Sequence, residues 1–475
     1  MTESPKRELS DPLGAPTADF QRGAVGTHHL VFFIVAAAAP LTILAGFAPL
    51  ALGVAGASLP VAYLIPGGVY LLFAVGFTAM SRHFHGAGAF YAYISEGLSH
   101  VVGAGAAMLA YLGYLGGQTG FVLSCGIFAS TALNSIFGFS PSVYACALLV
   151  SVAVGIIGYR RVDLGARVLV VLLSLELAIL AVFCVAVLVR GGHEGIEFSS
   201  FSPDAILAGG VASAFVVTFT SFVGFEQAAI YSEECKDPRK TVSRATYIGV
   251  ALLTFVYAFC SWVIVQAVGL SKLADVLSGD PSALVFTLNS EFAGEFMTEA
   301  MRLLIVTSFF AGCLALHNAC TRYLFALGGT KILPAALVKI SPVTKTPSTA
   351  GIVQVVLVSA ILLIFSITPT DPYLQVVVWT NTPTIIAVLA LQVLASLAVI
   401  GYFRKNAHGE SAWSRVIAPW LSVIALSISA AYLIFNMSAL TQLGVVGNSI
   451  IVLPLVLAFA VGAGRALIVQ RTNQL

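Results

Sequence analysis

The sequence predicts an all-α integral membrane protein with about twelve transmembrane helices. Of its 475 residues, 59% are hydrophobic and only 9% are charged, and the mean hydropathy is +0.97. A soluble domain of ordinary composition carries about 25% charged residues, which cover its surface against water. This chain has too few charges for such a surface, so lipid must be the solvent along most of its length.

Twelve apolar stretches are long enough to cross the hydrocarbon core, which requires about 20 residues of helix. We number these predicted spans 1 to 12 in chain order. Spans 3 and 8 are the longest among them and are expected to be tilted. The predicted spans are residues 28–53, 59–81, 101–130, 141–158, 165–190, 205–232, 245–269, 298–328, 349–369, 374–401, 414–436 and 447–469.

The distribution of Lys and Arg predicts that both termini are cytoplasmic. With the N-terminus inside, 20 of the 23 Lys and Arg residues fall in inner connections, and only Arg190, Lys272 and Arg302 fall outside. Cytoplasmic loops carry such an excess, and the opposite orientation would invert it. We therefore expect a multi-pass protein of the cell inner (plasma) membrane. In the longest outer connection, residues 270–297, the second half is expected to form a short helix.

The first 26 residues are polar and contain Pro, Gly and charges of both signs. They lack the basic and then apolar layout of a cleaved signal, so we expect a disordered cytoplasmic tail.

Two spans are poor candidates for continuous helices. In span 1, Pro40 removes a backbone donor and clashes with the preceding turn. Span 6 groups Thr218, Thr220, Ser221 and Gly224 in one stretch and then places Glu226 in the membrane. Interrupted helices are tolerated in lipid only where the freed backbone groups are buried in protein or line a cavity. Spans 1 and 6 open two successive five-span units, as in carriers built from inverted repeats. A simple proline kink in span 1 is the alternative.

Four segments carry a resemblance to a known family. Residues 86–93 (GAGAFYAY) match an AGG-x-Y-x-Y stretch, and residues 219–245 contain F-x-G-F-E, then E-E, D-P-R-K and R-A. Residues 321–334 (TRYLFALGGTKILP) and 341–351 (SPVTKTPSTAG) match the end of span 8 and the start of span 9. In this order and at these places in the topology, the chain resembles the amino acid–polyamine–organocation (APC) superfamily of permeases.

The resemblance implies ten core helices in two inverted five-helix repeats (LeuT-like), with spans 1 and 6 broken at the midplane. Residues 27–403 would form this transport core, and residues 404–475 would add two peripheral spans and the C-terminus. The implied function is secondary active transport of small amino acids by alternating access, coupled to protons. An amine or polyamine carrier or exchanger of the same fold is the alternative, and a membrane nutrient sensor is a remote one.

The chain departs from the family pattern in two places. A G-S/T-G run in span 1, whose free amides receive the substrate carboxylate in the family, is replaced by AAAAPLT. Pro40 has no N–H to offer, so the amides of Leu41 and Thr42 and the Thr42 hydroxyl remain. In span 5, the alignment puts Glu176 where many amino acid carriers have a lysine. These departures favour cationic substrates more than the family average.

The candidate site residues lie at the two breaks and on the spans that flank them. Two carboxylates inside the membrane, Glu226 and Glu176, are predicted to carry protons, because such groups are costly unless neutralised, paired or hydrated. Alternatives remain for several of these residues. Glu226 could cap free amides, and Glu176 could bind a cation or pair with Arg167 or Arg322. Gln118 could form an interhelical hydrogen bond, and Phe222 and Phe225 could serve in packing. The predicted substrate-binding residues are Ala39, Pro40, Leu41, Thr42, Gln118, Thr220, Ser221, Phe222, Gly224, Phe225, Asn318 and Asn381.

The sequence offers no pattern for an enzyme. Among eight histidines only His317 is well inside a span, the HxH pair His83 and His85 has no third ligand, and the seven cysteines form no CxxC. We therefore expect no cofactor, no metal and no nucleic acid.

The expected partners are a small amino acid or amine, protons and membrane lipid, with the protein a monomer or homodimer. Protons are favoured over sodium, for which Thr307 and Ser308 are the remaining candidates.

Overall fold

In the computed structural model of the chain, the described residues form helices joined by mostly short connections. These residues are 26–83, 89–160, 166–207, 209–226, 237–273, 279–344 and 346–472. Within them the only β pairing is an isolated bridge between Ile340 and Pro347. The predicted N-terminal tail, apart from Gly26, lies outside the described residues, as does His85.

The α-helices of this described part are numbered in chain order. Two short π-helical segments, Pro372–Val377 and Trp413–Ile417, lead into α16 and α17. The helices are α1 (Thr27–Ala38), α2 (Pro40–Gly46), α3 (Ala48–Ala55), α4 (Leu59–Ser81), α5 (Ala89–Gly97), α6 (His100–Phe137), α7 (Val143–Arg160), α8 (Ala166–Arg190), α9 (Pro203–Ile206), α10 (Gly209–Ser213), α11 (Phe215–Thr220), α12 (Pro238–Val268), α13 (Leu284–Ala293), α14 (Glu295–Gly329), α15 (Ser348–Ser366), α16 (Val378–Lys405), α17 (Ala418–Asn436), α18 (Ser438–Thr441) and α19 (Val445–Thr472).

Eleven helical stretches among the described residues are long and apolar enough to cross a membrane. They match the predicted spans other than span 6, and the agreement is closest for span 2, predicted at 59–81 and observed at Leu59–Ser81. Predicted span 6, residues 205–232, is not one long helix in its described part. It consists there of short helices followed by turns up to Glu226, and residues 227–236 lie outside the description.

The two longest helices are the ones that the sequence predicts to be longest. Helix α6 has 38 residues and α14 has 35. At 1.5 Å per residue α6 is about 57 Å long, which exceeds a hydrocarbon core of about 30 Å, so it must tilt or protrude. The expected short helix of the outer connection is also present, as α13 (Leu284–Ala293).

Small residues allow the central helices to approach one another closely. A Cβ atom added at Gly97 of α5 would lie 2.1 Å from the carbonyl oxygen of Ala398 on α16. One added at Gly120 of α6 would lie 2.1 Å from Nδ2 of Asn381, also on α16. Helix association in lipid depends on such close contacts, because no hydrophobic effect drives helices together there. The packing fixes α5, α6 and α16 as one unit beside the interrupted helices.

Candidate functional site

Span 1 is interrupted at Ala39, which separates α1 from α2. Ala39 has φ 43° and ψ 70°, a left-handed conformation that residues with a Cβ rarely adopt. The neighbouring Pro40 explains the break, because proline disfavours a helical conformation in the residue before it. Proline is also well suited to the first position of the new helix. Ala39, Pro40, Leu41 and Thr42 are all buried, so the ends of both half-helices lie in the protein interior.

Span 6 is interrupted after Thr220, where α11 ends and residues 221–226 form consecutive turns. Within these turns Gly224 has φ +114°, where any side chain would be strained. A Cβ atom placed on Gly224 would lie 3.1 Å from the Cβ of Ala37 in α1. The interruption of span 6 therefore lies directly against that of span 1.

A single tyrosine on α12 joins the two interruptions. The hydroxyl of Tyr257 lies 3.0 Å from the carbonyl oxygen of Ala38 and 2.9 Å from that of Ser221. Both carbonyls belong to helix ends, where they have no partner within the helix. The hydroxyl has one proton to donate, so the two carbonyls share it. Sequence reasoning did not select Tyr257.

Glu226 caps the interruption of span 6. Its side chain is buried, its Oε2 accepts a hydrogen bond of 2.9 Å from the Gly224 amide, and its Oε1 lies 3.5 Å from the Tyr114 hydroxyl. This is the capping role that the sequence left open as an alternative. In this role Oε2 makes a hydrogen bond of ordinary length and Oε1 only a long one. Proton carriage by Glu226 stays a prediction.

Glu176 lies on α8, which packs against α2, the half-helix that follows the interruption of span 1. Its side chain is buried, and its Oε2 has no hydrogen-bond partner among the described residues. The Thr42 hydroxyl donates to the Ser308 hydroxyl over 2.9 Å. The structure thus joins Thr42 of span 1 to Ser308 of span 8, and proton carriage by Glu176 stays a prediction.

Gln118 belongs to a buried polar network between spans 3, 8 and 9. Its Oε1 accepts from Gln354 at 2.7 Å, and its Nε2 lies 3.4 Å from Nδ1 of His317. The Tyr111 hydroxyl donates to Gln354 over 3.1 Å. These contacts favour the interhelical hydrogen-bond interpretation, and substrate contact by Gln118 stays a prediction.

Phe222 and Phe225 are fully buried in aromatic packing behind the break. The ring of Phe222 lies 5.3 Å from that of Tyr70 and 5.4 Å from that of Tyr257. The ring of Phe225 lies 5.1 Å from Tyr70 and 6.0 Å from Phe73. Phe222 therefore packs against spans 2 and 7 and Phe225 against span 2, which is the packing arrangement that the sequence left open.

Thr220 and Asn381 line a cavity of about 20 Å³ between spans 1, 6 and 10. A cavity of this size holds about one water molecule. The Thr220 hydroxyl and the Asn381 amide group both donate to backbone carbonyls of their own helices, and Oδ1 of Asn381 has no partner. Asn318 is exposed and lies beside Gly158 of span 4.

A cluster of aromatic rings lies beyond the C-terminal end of α2. The ring of Phe47 lies 5.5 Å from those of Phe121 and Phe309, and Phe309 stacks on Phe128 at 5.3 Å. The Tyr373 hydroxyl donates to the carbonyl of Gly46 over 2.9 Å. This carbonyl lies at a second irregular position in span 1, where α2 ends before α3 begins. These rings therefore pack over the C-terminal end of α2.

The charges of the site are negative. Within the described part of the chain, neither Glu176 nor Glu226 forms an ion pair with Lys, Arg or His. The same residues contain no group of three or more His, Cys, Asp or Glu that could hold a metal ion.

The model of the family described as "Amino acid permease" matches residues 26–461. Branched-chain amino acid permease BcaP of Bacillus subtilis (strain 168) is 24% identical over 355 residues, which are 72% of this chain and 70% of that protein. Low-affinity putrescine importer PlaP of Escherichia coli (strain K12) is 24% identical over 325 residues, 66% of this chain and 68% of that protein. Cationic amino acid transporter 6, chloroplastic, of Arabidopsis thaliana is 23% identical over 322 residues, 62% of this chain and 53% of that protein. This chain therefore spans about half the length of the Arabidopsis relative.

Proposed function

The chain belongs to the amino acid permease family, and on that premise we propose that it is a secondary active transporter of small amino acids or amines. Membership confirms the resemblance to APC permeases and makes the chain a membrane-embedded transporter. The observation that carries the proposal is the contact between two interrupted helices, joined by Tyr257. Irregular backbone inside lipid is tolerated where it lines a binding site, and inverted-repeat carriers bind substrate between such helices.

Alternating access is the mechanism that this arrangement supports. Spans 1–5 and 6–10 are proposed to be inverted repeats whose first helices break at corresponding positions near the midplane. The aromatic cluster beyond α2 closes one side of the breaks, which is the outer side in the orientation that the Lys and Arg distribution favours. Transport then requires a second conformation in which this side opens and the other closes. In this proposal the protein lies in the plasma membrane with both termini in the cytoplasm.

Protons are the proposed coupling ion. Glu226 is buried at the break of span 6 and Glu176 is buried on α8, and neither has a cationic partner among the described residues. An ionised carboxylate at such a place is costly, and binding a proton removes the charge. Glu226 contacts the Gly224 amide, so a change in its charge acts directly on the interrupted backbone of span 6.

Small amino acids are the first candidate substrates and amines the second. A relative whose printed name says branched-chain amino acid permease supports the first, and one named a putrescine importer supports the second. One observation favours the amines: Glu176 and Glu226 are buried, and neither pairs with Lys, Arg or His in the described part of the chain.

Proton coupling can be tested with Glu226→Gln in proteoliposomes. Leucine and putrescine are the probes, and the exposed cytoplasmic-side Glu96→Gln is the control because it removes the same charge away from the breaks. We expect the wild type and Glu96→Gln to accumulate a probe above equilibrium when a pH gradient is imposed. Glu226→Gln should lose this accumulation and keep exchange between equal pools. Unchanged accumulation in Glu226→Gln would remove Glu226 from the coupling mechanism.

The same assay separates a carrier from a nutrient sensor. A sensor on this fold would bind a probe but would not move it across the membrane under any gradient.

A further inference from the structure

We propose that His193 is a proton-dependent clamp on α13, the short helix of the outer connection. The doubly protonated ring fastens α13 to the end of α12, and the hold weakens as the pH rises. His193 lies outside the membrane spans, in the connection that follows α8. The inference concerns regulation of the proposed transport site, and its consequence for transport rests on the proposed function.

Both nitrogens of the His193 ring face hydrogen-bond acceptors. Nδ1 faces the carbonyl oxygen of Ala267 near the end of α12, and Nε2 lies 2.6 Å from Oε1 of Glu291 on α13. A carbonyl oxygen and an ionised carboxylate only accept, so each contact needs an N–H from the ring. Neutral imidazole has one N–H, whereas imidazolium has two. The arrangement therefore matches the charged form of His193, which joins α12 to α13.

Loss of one proton from His193 removes one of these two hydrogen bonds. The bare nitrogen would then face an oxygen that also carries only lone pairs, so the contact becomes repulsive. The side chains of His193 and Glu291 are 24% and 51% exposed, so the ring can exchange protons with the outer solution. Histidine changes its charge between about pH 5 and 8. A hold that depends on a bound proton is present in acid and is lost as the pH rises.

The charged groups around the ring leave His193 and Glu291 as partners of each other. Arg190, the last residue of α8, donates from Nη1 to the backbone carbonyl of Glu291 over 2.7 Å. Glu194 accepts from the connection that follows α12, next to Lys272. Arg190 and His193 lie at the C-terminal end of α13, where the helix dipole favours positive charge.

The connection that carries His193 is itself fixed to α12. The amide of His193 donates to the carbonyl of Gln266 over 3.2 Å, and the amide of Glu197 donates to Oε1 of Gln266 over 2.8 Å. Nε1 of Trp262 donates to the carbonyl of Glu197 over 2.9 Å. The ring is therefore positioned by α12, and α13 is the element that its protonation fastens or releases.

Helix α13 packs against the part of span 1 that follows the interruption. It contacts α2 as well as α8 and α14. The ring of Phe286, near the start of α13, lies 5.9 Å from that of Phe128, which belongs to the aromatic cluster beyond α2. In the proposed mechanism, opening of the outer side displaces this cluster and α13 with it. A clamp on α13 therefore favours the closed outer side at low pH.

The hold on α13 is measured as hydrogen–deuterium exchange of its backbone amides in the purified protein. His193→Gln and Glu291→Gln each remove one charge of the pair with little change in size. Each variant is compared with the wild type at the same pH, so the intrinsic pH dependence of exchange cancels. At about pH 5.5 we expect α13 to exchange about twofold to fivefold faster in either variant, as for loss of a partly exposed ion pair. At about pH 8.5 the difference should be less than about 1.5-fold, because the wild-type ring is then neutral.

Two single variants and one double variant are the controls. Glu197→Gln removes an exposed carboxylate from the same connection, and His100→Gln removes an exposed histidine at the start of α6. Both should match the wild type at both pH values. The double variant His193→Gln/Glu291→Gln should exchange no faster than the faster single variant, because the two side chains act through each other.

Counterflow of leucine or putrescine in proteoliposomes measures the consequence for transport. The pH is equal on both sides, so no proton gradient contributes. At about pH 5.5, His193→Gln should be about twofold to fivefold faster than the wild type, because its outer side opens more readily. At about pH 8.5 the two proteins should transport at the same rate.

The outcomes separate the clamp from the proposed function. Equal exchange of α13 in the wild type and both variants at about pH 5.5 overturns the clamp and leaves the transporter proposal intact. A difference of the same size at both pH values means that the contact does not depend on the proton, which also overturns the clamp. The expected exchange together with equal counterflow overturns its control of the outer side. The expected exchange in a wild-type protein that transports neither probe upholds the clamp and removes support from the proposed function.

Discussion

Tyr257 contributes one hydroxyl to two helix ends that lie far apart in the sequence. Its partners are the carbonyls of Ala38 and Ser221, which precede it by 219 and 36 residues. A buried carbonyl without a donor is costly, so this hydroxyl stabilises the conformation in which both breaks coexist. At the residue scale, the site is held by a few hydrogen bonds to backbone atoms that interrupted helices leave free.

Tyr257→Phe removes this hydroxyl with little change in shape. The two carbonyls then lose their shared donor, which should cost roughly 1–3 kcal/mol of stability. We expect a lower melting temperature in detergent and slower transport of any substrate. Tyr432→Phe, at an exposed position of α17, is the control and should match the wild type. Equal melting temperatures for Tyr257→Phe and wild type would show that the hydroxyl does not hold the breaks together.

Glu410 makes the clearest charged contact outside the spans. Its carboxylate accepts from Arg82 over 2.9 Å and 2.7 Å and lies 2.9 Å from Nε2 of His83, which links the end of α4 to the connection between α16 and α17. Partial burial raises the pKa of Glu410, but hydrogen bonds from Arg82 and His83 and the charge of Arg82 outweigh burial and lower it to about 2. The carboxylate is therefore ionised at any physiological pH.

This lowered pKa fixes the sign of a pH dependence. A carboxylate whose pKa is lower in the folded state stabilises the fold above its unfolded pKa, and the stabilisation is lost as the pH falls through the folded value. Glu410→Gln should lower stability by roughly 1 kcal/mol at about pH 7. The difference from wild type in denaturation midpoint should shrink as the pH falls towards 2. A difference that grows on acidification would contradict this assignment, and Glu96→Gln is the control for loss of a carboxylate alone.

The sequence identified some site residues because their type is unusual in lipid, and it missed others whose type is not. Glu176 and Glu226 are conspicuous as carboxylates within apolar stretches; both are buried, and Glu226 lies at the break of span 6. Tyr257 is one of 15 tyrosines, and its partners are backbone atoms, so no side-chain pattern indicates it. The hydrogen bond between Thr42 and Ser308 likewise depends on how spans 1 and 8 pack.

At the scale of the elements, the interruptions result from local chemistry. Pro40 forces the break in span 1, and the structure places it one residue away, at Ala39. In span 6, Gly224 permits a positive φ, and the turns extend from residue 221 to residue 226. The sequence indicated where each helix would be interrupted. It could not indicate that the two interruptions would be in contact, because that contact depends on the packing of distant helices.

Gly224→Ala tests the importance of this contact. A Cβ atom at φ +114° is strained and would lie 3.1 Å from the Cβ of Ala37, so the two breaks should move apart. We expect transport to fall at least about tenfold, with a lower melting temperature. The control is Gly53→Ala in α3, where an added Cβ has nothing within 4 Å. Full transport activity in Gly224→Ala would mean that the closeness of the breaks is not needed.

At the scale of the whole molecule, the fold class follows from composition and length alone. A chain with 9% charged residues and long apolar stretches can satisfy its backbone polar groups in lipid by folding as a bundle of membrane helices. The observed bounds of most spans lie within a few residues of the predicted ones. Span 6 is the exception: in its described part, residues 205–207 and 209–226, short helices and turns replace one long helix.

We propose that the whole molecule is a carrier whose site opens to one side at a time. Interrupted helices that meet in the interior support this proposal, because carriers of inverted repeats bind substrate between such helices. A pore that stays open to both sides would not need such helices.

Counterflow in proteoliposomes tests this central claim most directly. Vesicles are loaded with unlabelled putrescine or leucine and diluted into a trace of the same labelled compound, with no ion gradient. An alternating-access carrier returns loaded, so the label should rise transiently above its equilibrium level inside the vesicles and then fall. A monotonic approach to equilibrium, or no entry of label, would contradict the account.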